Sequence, residues 1–166
     1  MNDAVFHVPE PNLCYTGDFR WLQRNGARAV LYSTVYAAID ERHGIFGAVE
    51  GVTHLKRLRD AGASRDRQQI HIGGCSGYGA LQIAALSGAT RIALLGFDLT
   101  PGRFMDSDQP EETERYHTWA QQFDQLAIDL AQMGVTVVNC SKTSLITAFQ
   151  RADWQEVEDN GLHIFG

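Results

Sequence analysis

From Gln69 onward the apolar and polar positions fall into blocks that read as strand, glycine turn, helix and strand. Ile70-His-Ile72 predicts a strand running into Gly73-Gly-Cys-Ser-Gly77. Ala80, Leu81, Ile83, Ala84 and Ala85 then predict a helix over residues 78–87 that Gly88 stops. Arg91-Ile-Ala-Leu-Leu-Gly96 follows as an apolar run ending at Phe97-Asp98. This order is a βαβ unit, whose strands should be parallel and buried on both faces, which fits the missing alternation across Ile92–Leu95. Tyr116, Trp119, Phe123, Leu126, Ala127 and Leu130 recur at three- and four-residue steps, predicting a long helix over residues 112–132 with Gly134 as its C-cap. Val135–Asn139 reads as the next strand, and Ser141–Phe149 and Asp153–Val157 as two short helices. The tail Leu162–Phe165 suits an edge strand or a segment docked on a neighbour.

The first third is less regular. Ala4–Val8 and Leu13–Tyr15 read as short strands, and Asp18 as the N-cap of a helix that runs through Phe19, Trp21 and Leu22 to the stop signal Asn25-Gly26. Ala29–Ser33 is a buried-strand candidate. Residues 35–51 read as loop, with a weak strand near 48–53, and Leu55 and Leu58 suggest a helical turn ending at Gly62. Residues 100–112, with Pro101 and Pro110, read as a polar loop. The sum is an α/β chain with a largely parallel sheet flanked by helices, in which ligands gather at the carboxyl ends of the strands.

The length of 166 residues predicts a single domain over 1–166. Twenty acidic residues against 14 basic ones give a net charge of −6, which argues against general nucleic-acid binding because phosphate neutralisation needs a basic excess. No apolar run approaches the roughly 20 residues of a membrane span. The first residues lack the pattern of a secretory signal, so a cytoplasmic location is expected. Cys14, Cys75 and Cys140 are odd in number and scattered, which indicates neither disulfides nor zinc and suggests small buried hydrophobes.

The strand ends carry the candidate chemistry. A Gly-Gly-Cys-Ser-Gly turn opening a helix offers backbone N–H groups and a hydroxyl where the helix dipole favours an anion, so Gly73, Gly74, Ser76 and Gly77 suit a phosphate. The same glycines also suit a tight turn with no ligand, and the pattern is neither a Walker loop nor GxGxxG. Asp98 ends an apolar strand, where a carboxylate meets a ribose, a metal or a substrate hydroxyl, or caps a turn. Asn139 and Ser141, with Thr143 and Ser144, supply neutral groups for a base or sugar; alternatively Ser141 caps a helix. His117 is a candidate general base, although a lone helical histidine is more often structural. Asp106, Asp108, Glu111 and Glu112 lack the spacing of a calcium hand, so no divalent metal is indicated. Ser76 is out of frame for Gly-x-Ser-x-Gly, which argues against a serine or cysteine hydrolase.

The run Gly73–Asp98, with Gly134-Val-Thr-Val-Val-Asn-Cys-Ser141 and Ser144–Phe149, resembles a group of phage and prophage Rossmann-like proteins. That group is distantly related to bacterial sialyltransferases that use CMP-sialic acid and to archaeal 6-hydroxymethylpterin diphosphokinase-like proteins. Cys14-Tyr-Thr-Gly-Asp-Phe-Arg-Trp21 resembles the group's Asp-x-x-Trp segment, and the likeness is strongest over residues 70–150. It implies a three-layer Rossmann-like fold, a nucleotide or nucleotide-sugar ligand, and the host cytoplasm for a phage-encoded chain. It also implies transfer from a nucleotide-activated donor. Gly74–Gly77 would then hold phosphate, Asn139 and Ser141 would contact base or ribose, Asp98 would orient the acceptor, and His117 would act as base.

The chain departs from the group at three places. Cys75 replaces an amide, the loop after Asp98 (Gly102-Arg-Phe-Met-Asp-Ser-Asp108) has no histidine, and the first residues resemble the group's second block, so its first strand and glycine loop are expected to be missing. These departures favour the alternative of a catalytically inactive nucleotide-binding module. A third reading is an oligomeric phage accessory protein, a homo-oligomer that uses Trp21, Trp154 and the Leu162–Phe165 tail as exposed apolar surface.

Overall fold

The computed structural model describes residues 2–40, 49–99 and 113–160. The chain divides into two compact units, Met1–Ser87 and Gly88–Gly166. Every strand pair among the described residues is parallel, so the molecule is a mixed α/β protein.

In the first unit, β1 (Leu13–Thr16), α1 (Phe19–Ala29) and β2 (Thr34–Ala37) form a βαβ unit, and β3 (Val52–His54) pairs with β2. Leu55 still donates its N–H to Ala37 O at 2.8 Å, and β4 (Lys56–Leu58) then pairs with β5 (Gln69–His71). One extended segment therefore carries the ladder from β2 to β5. Successive residues of β1 point to opposite faces. Cys14 packs with Trp21 and Ala29 of α1, whereas Tyr15 packs with Ile70 and with Ile83 of α2 (Ser76–Leu86).

Several local expectations are overturned here. Asn2–Phe6 is a 3-10 helix rather than a strand. Asp18 caps α1 as expected, its Oδ1 accepting from Arg20 N at 2.8 Å and Trp21 N at 3.1 Å, but the helix runs through Asn25-Gly26 instead of stopping there. Gly26 is a packing residue: a Cβ at that position would lie 3.0–3.2 Å from Leu22 and Val49. Ala29–Ser33 is consequently helix end and turn, and the strand begins at Thr34 and runs into the stretch that reads as loop. Leu55–Leu58 is extended rather than helical; a three-residue leucine spacing fits both states, and pairing with β5 decides it.

In the second unit the order is β6 (Arg91–Leu94), α3 (Thr113–Gln132), β7 (Thr136–Asn139), β8 (Gln150–Arg151) and α4 (Trp154–Asn160). Tyr116, Ala120, Phe123, Leu126 and Leu130 form the buried stripe of α3, as the periodicity predicts. Phe123 meets Phe149 edge-on at 6.2 Å. β6 lies at the edge of the order β6-β7-β8, so Ile92 and Ala93 are only half-buried rather than covered on both faces. Residues 141–149 form turns, not the expected helix, because their backbone is tied to neighbouring loops and to Arg151. The expected 100–112 loop and the 162–165 edge strand lie outside the described residues. No helix among the described residues is long and apolar enough to cross a membrane.

Candidate functional site

Because the strands of the first unit are parallel, their carboxyl ends share one edge, and that edge holds the turn at Gly73–Ser76. Gly73 sits at φ +49°, and a Cβ there would lie 2.4 Å from the Tyr78 ring, so both conformation and space require glycine. Tyr78 is itself fixed, donating to Gly62 O at 3.0 Å and accepting from Gly62 N at 2.7 Å. Cys75 occupies the N-cap of α2 in extended conformation, but its side chain makes no capping hydrogen bond. A thiol is a weak acceptor, so the first amides of the helix lack the oxygen cap that serine or aspartate would provide. Burial pushes the Cys75 thiol up, although the amides of Tyr78 and Gly77 oppose the shift. A thiol held protonated is a poor nucleophile.

The end of β1 comes close to this turn. A Cβ on Gly17 would lie 3.5 Å from Tyr15 Oη, 3.9 Å from Ser76 Oγ and 4.0 Å from Ala38 O. Gly17, Asp18, Phe19, Arg20, Ile39, Asp40 and Arg57 line a crevice of about 470 Å³, within the size range of small-molecule sites. The register explains how Arg57 gets there. Ala37 is level with His54, so Arg57 stands three residues, roughly 10 Å, beyond the end of β2. A larger depression of about 820 Å³ lies at the opposite, amino-terminal edge, around Val30–Thr34.

The two carboxylates of the crevice are engaged. Asp18 accepts from the α1 amides, and Asp40 Oδ2 accepts from Arg59 at 3.2 Å. Arg57 differs, since its Nε is shielded from solvent and meets no hydrogen-bond partner among the described residues. Leaving such a donor unsatisfied costs about 1–3 kcal/mol or more for a charged group. Tyr15 lies in the field of Arg57, which favours its ionised form, but burial dominates and pushes the phenol up to about 12.

The remaining candidates belong to the second unit. Asn139 is fully buried at the end of β7; its Nδ2 donates to Ser144 Oγ at 3.1 Å and its Oδ1 accepts from Ser141 N at 3.0 Å. Ser141 Oγ accepts from Phe97 N at 2.8 Å, and Asp98 O accepts from Leu145 N at 2.8 Å. Arg151 donates to the carbonyls of Ser141, Ser144 and Ile146. Asp98, Asn139 and Ser141 are thus brought together at one strand edge, whereas His117 lies on the exposed side of α3. Ser141 caps no helix; it holds the loop after β6.

Sequence reasoning missed Arg57, because a helical turn over 55–62 would have put it on a solvated face. The usable signal is the β-branched pair Val52-Thr53, which favours extended chain. Among the described residues no group of three or more His, Cys, Asp and Glu could hold a metal ion. No protein-family model, curated protein or solved structure matches this chain.

Proposed function

We propose that the chain is a three-layer, Rossmann-like nucleotide-binding protein that holds a phosphate at the start of α2. The observation that carries this reading is the Gly73–Gly77 turn, which opens a helix without a side-chain oxygen cap at the carboxyl edge of a parallel sheet, beside a crevice of ligand size. The packing of Cys14 against α1 and of Tyr15 against α2 supports the layered build. The resemblance extends the reading to transfer from a nucleotide-sugar donor, with Asp98 orienting the acceptor and His117 as base. The internal hydrogen bonds of Asn139 and Ser141 count against their contact with a base or ribose, because those side chains already serve the protein.

Thermal-shift measurements against CMP, CDP, UDP, their sugar conjugates and pterins, with and without magnesium, test the proposal. A ligand at 100 times its dissociation constant adds about 2.7 kcal/mol of stability. No shift with any nucleotide overturns both readings. Where binding occurs, unchanged donor hydrolysis in Asp98→Ala and in His117→Ala removes the transferase roles and leaves the module.

A further inference from the structure

We infer that the crevice between the ends of β1, β2 and β4 is a sugar subsite, in which Asp18 Oδ2 accepts from the hydroxyls of a neutral furanose or pyranose ring. No residue of the Gly73–Gly77 turn lines this crevice, so the assignment goes beyond the phosphate reading and does not depend on it. The sheet register builds the crevice. Thr16, Ala37 and His54 are level on three adjacent strands, and Ala38 N still donates to Thr16 O at 3.1 Å. Gly17–Arg20, Ile39–Asp40 and Arg57 lie past that level and border about 470 Å³, at the small end of the range for ligand sites.

The lining decides the ligand class. Asp18 and Asp40 bring two negative charges and Arg20 and Arg57 two positive ones, so among the described residues the lining is balanced. Arg59 pairs with Asp40 at 3.2 Å but is 76% exposed, so water screens its charge. A bound anion faces two carboxylates and a bound cation two guanidinium groups, whereas a neutral ligand meets neither repulsion. A hydroxyl suits both signs, because it donates to a carboxylate and accepts from a guanidinium. Phe19 and Ile39 supply apolar wall for the C–H face of a sugar ring, giving the mixture of apolar lining and few polar groups that small-molecule sites carry. Asp18 divides its carboxylate: Oδ1 alone accepts from the Arg20 and Trp21 amides, at 2.8 and 3.1 Å, and Oδ2 has no hydrogen-bond partner among the described residues. Asp18 is exposed, so that oxygen is open to a ligand.

Backbone amide NMR titration of the full chain with cytidine, dideoxycytidine, methyl glucoside, N-methylacetamide and CDP tests the assignment. We expect cytidine or methyl glucoside to shift the amides of Gly17, Asp18, Phe19 and Ile39 with a millimolar dissociation constant; a cytidine response marks ribose as the source and a glucoside response a hexose. Dideoxycytidine, which lacks the ribose diol, and N-methylacetamide, a neutral donor and acceptor without one, should bind at least about tenfold more weakly than the responding sugar. Asp18→Ser should lose about tenfold in affinity for that sugar at an unchanged melting temperature, since serine caps a helix about as well as aspartate. Arg20→Ala, at an exposed position, should lose about threefold, which keeps the test decisive if Asp18→Ser fails to fold. No shift of the crevice amides with either sugar overturns the subsite, and so does binding of N-methylacetamide as tight as that of the sugar, or of dideoxycytidine as tight as that of cytidine. Wild-type sugar affinity in Asp18→Ser overturns the role of Asp18. CDP shifts confined to Gly73–Gly77 overturn this subsite and leave the phosphate reading standing; a sugar response at the crevice, with CDP moving nothing at the turn, does the reverse.

Discussion

The two units carry similar residue types at the carboxyl ends of their strands and use them in opposite ways. In the second unit Asn139, Ser141 and Ser144 bond to one another and to the loops after β6 and β7, and Arg151 closes the set by donating to three carbonyls. In the first unit Cys75 leaves the α2 start without an oxygen cap, and Arg57 keeps a shielded donor without a partner among the described residues. Buried polar groups are normally satisfied, so the two units differ in how completely they have spent their own donors. A polar residue at a strand end is thus not by itself a binding residue. What distinguishes the two cases is where its hydrogen bonds already go.

The comparison can be broken in several ways. The largest effect is expected at Gly79, where a Cβ would lie 2.4–2.6 Å from the ring and Oη of Tyr15. Gly79→Val should destabilise the first unit by about 3 kcal/mol, read from urea unfolding. A midpoint like that of the wild type would show that the contact between α2 and β1 gives way easily, and that Tyr15 does not fix α2 on the sheet.

Tyr15 gives the next effect, through pH. Its phenol is raised from 10 to about 12 by burial, so it stays neutral in the folded chain while the unfolded chain ionises. The stabilisation is fully present below pH 10 and is lost as pH rises to about 12, roughly 3 kcal/mol in all. Tyr15→Phe should flatten the fall in urea midpoint across that window; an equally steep fall would place the alkaline sensitivity elsewhere.

Asn139→Ala should cost about 2 kcal/mol, because it leaves Ser141 N without its acceptor and removes one of the two donors to Ser144 Oγ, and should leave the affinity for CDP unchanged. Ser76→Ala should do the reverse, moving stability by less than about 0.5 kcal/mol while weakening CDP. Paired denaturation and titration of these two variants sharpen the contrast most directly. If Asn139→Ala keeps its stability and loses the ligand, the assignment of the two edges is inverted.

Much of this was legible in the sequence where local signals agree. Residues 70–98 combine an apolar strand, a glycine turn, a broad apolar helix face and a second strand, and α2, β5 and β6 appear within two residues of the expected bounds. The stripe of α3 and the Asp18 cap were legible for the same reason, since periodicity and capping act over one or two turns. The misreadings share a different cause. Asn25-Gly26 carries a stop signal, yet Gly26 serves close packing against Val49, a residue 23 positions away. The 55–58 segment fits a helical spacing, yet it is claimed by β5 through a ladder no local pattern announces. Asn139 and Ser141 have the side chains of a sugar site, and their engagement with Phe97 and Ser144 depends on loops the sequence leaves unplaced.

By itself the sequence determined the α/β character, the helix starts and the glycine turn, because each follows from spacing and backbone preference within a few neighbouring residues. Only the tertiary structure decided which polar groups are spent and which are not. Arg57 reaches the crevice because β4 continues past the end of β2, and Ser141 is occupied because two strand-end loops meet. Hydrogen-bond satisfaction is a property of three-dimensional neighbours, so residues of the same type become scaffold in one unit and candidate ligand contacts in the other.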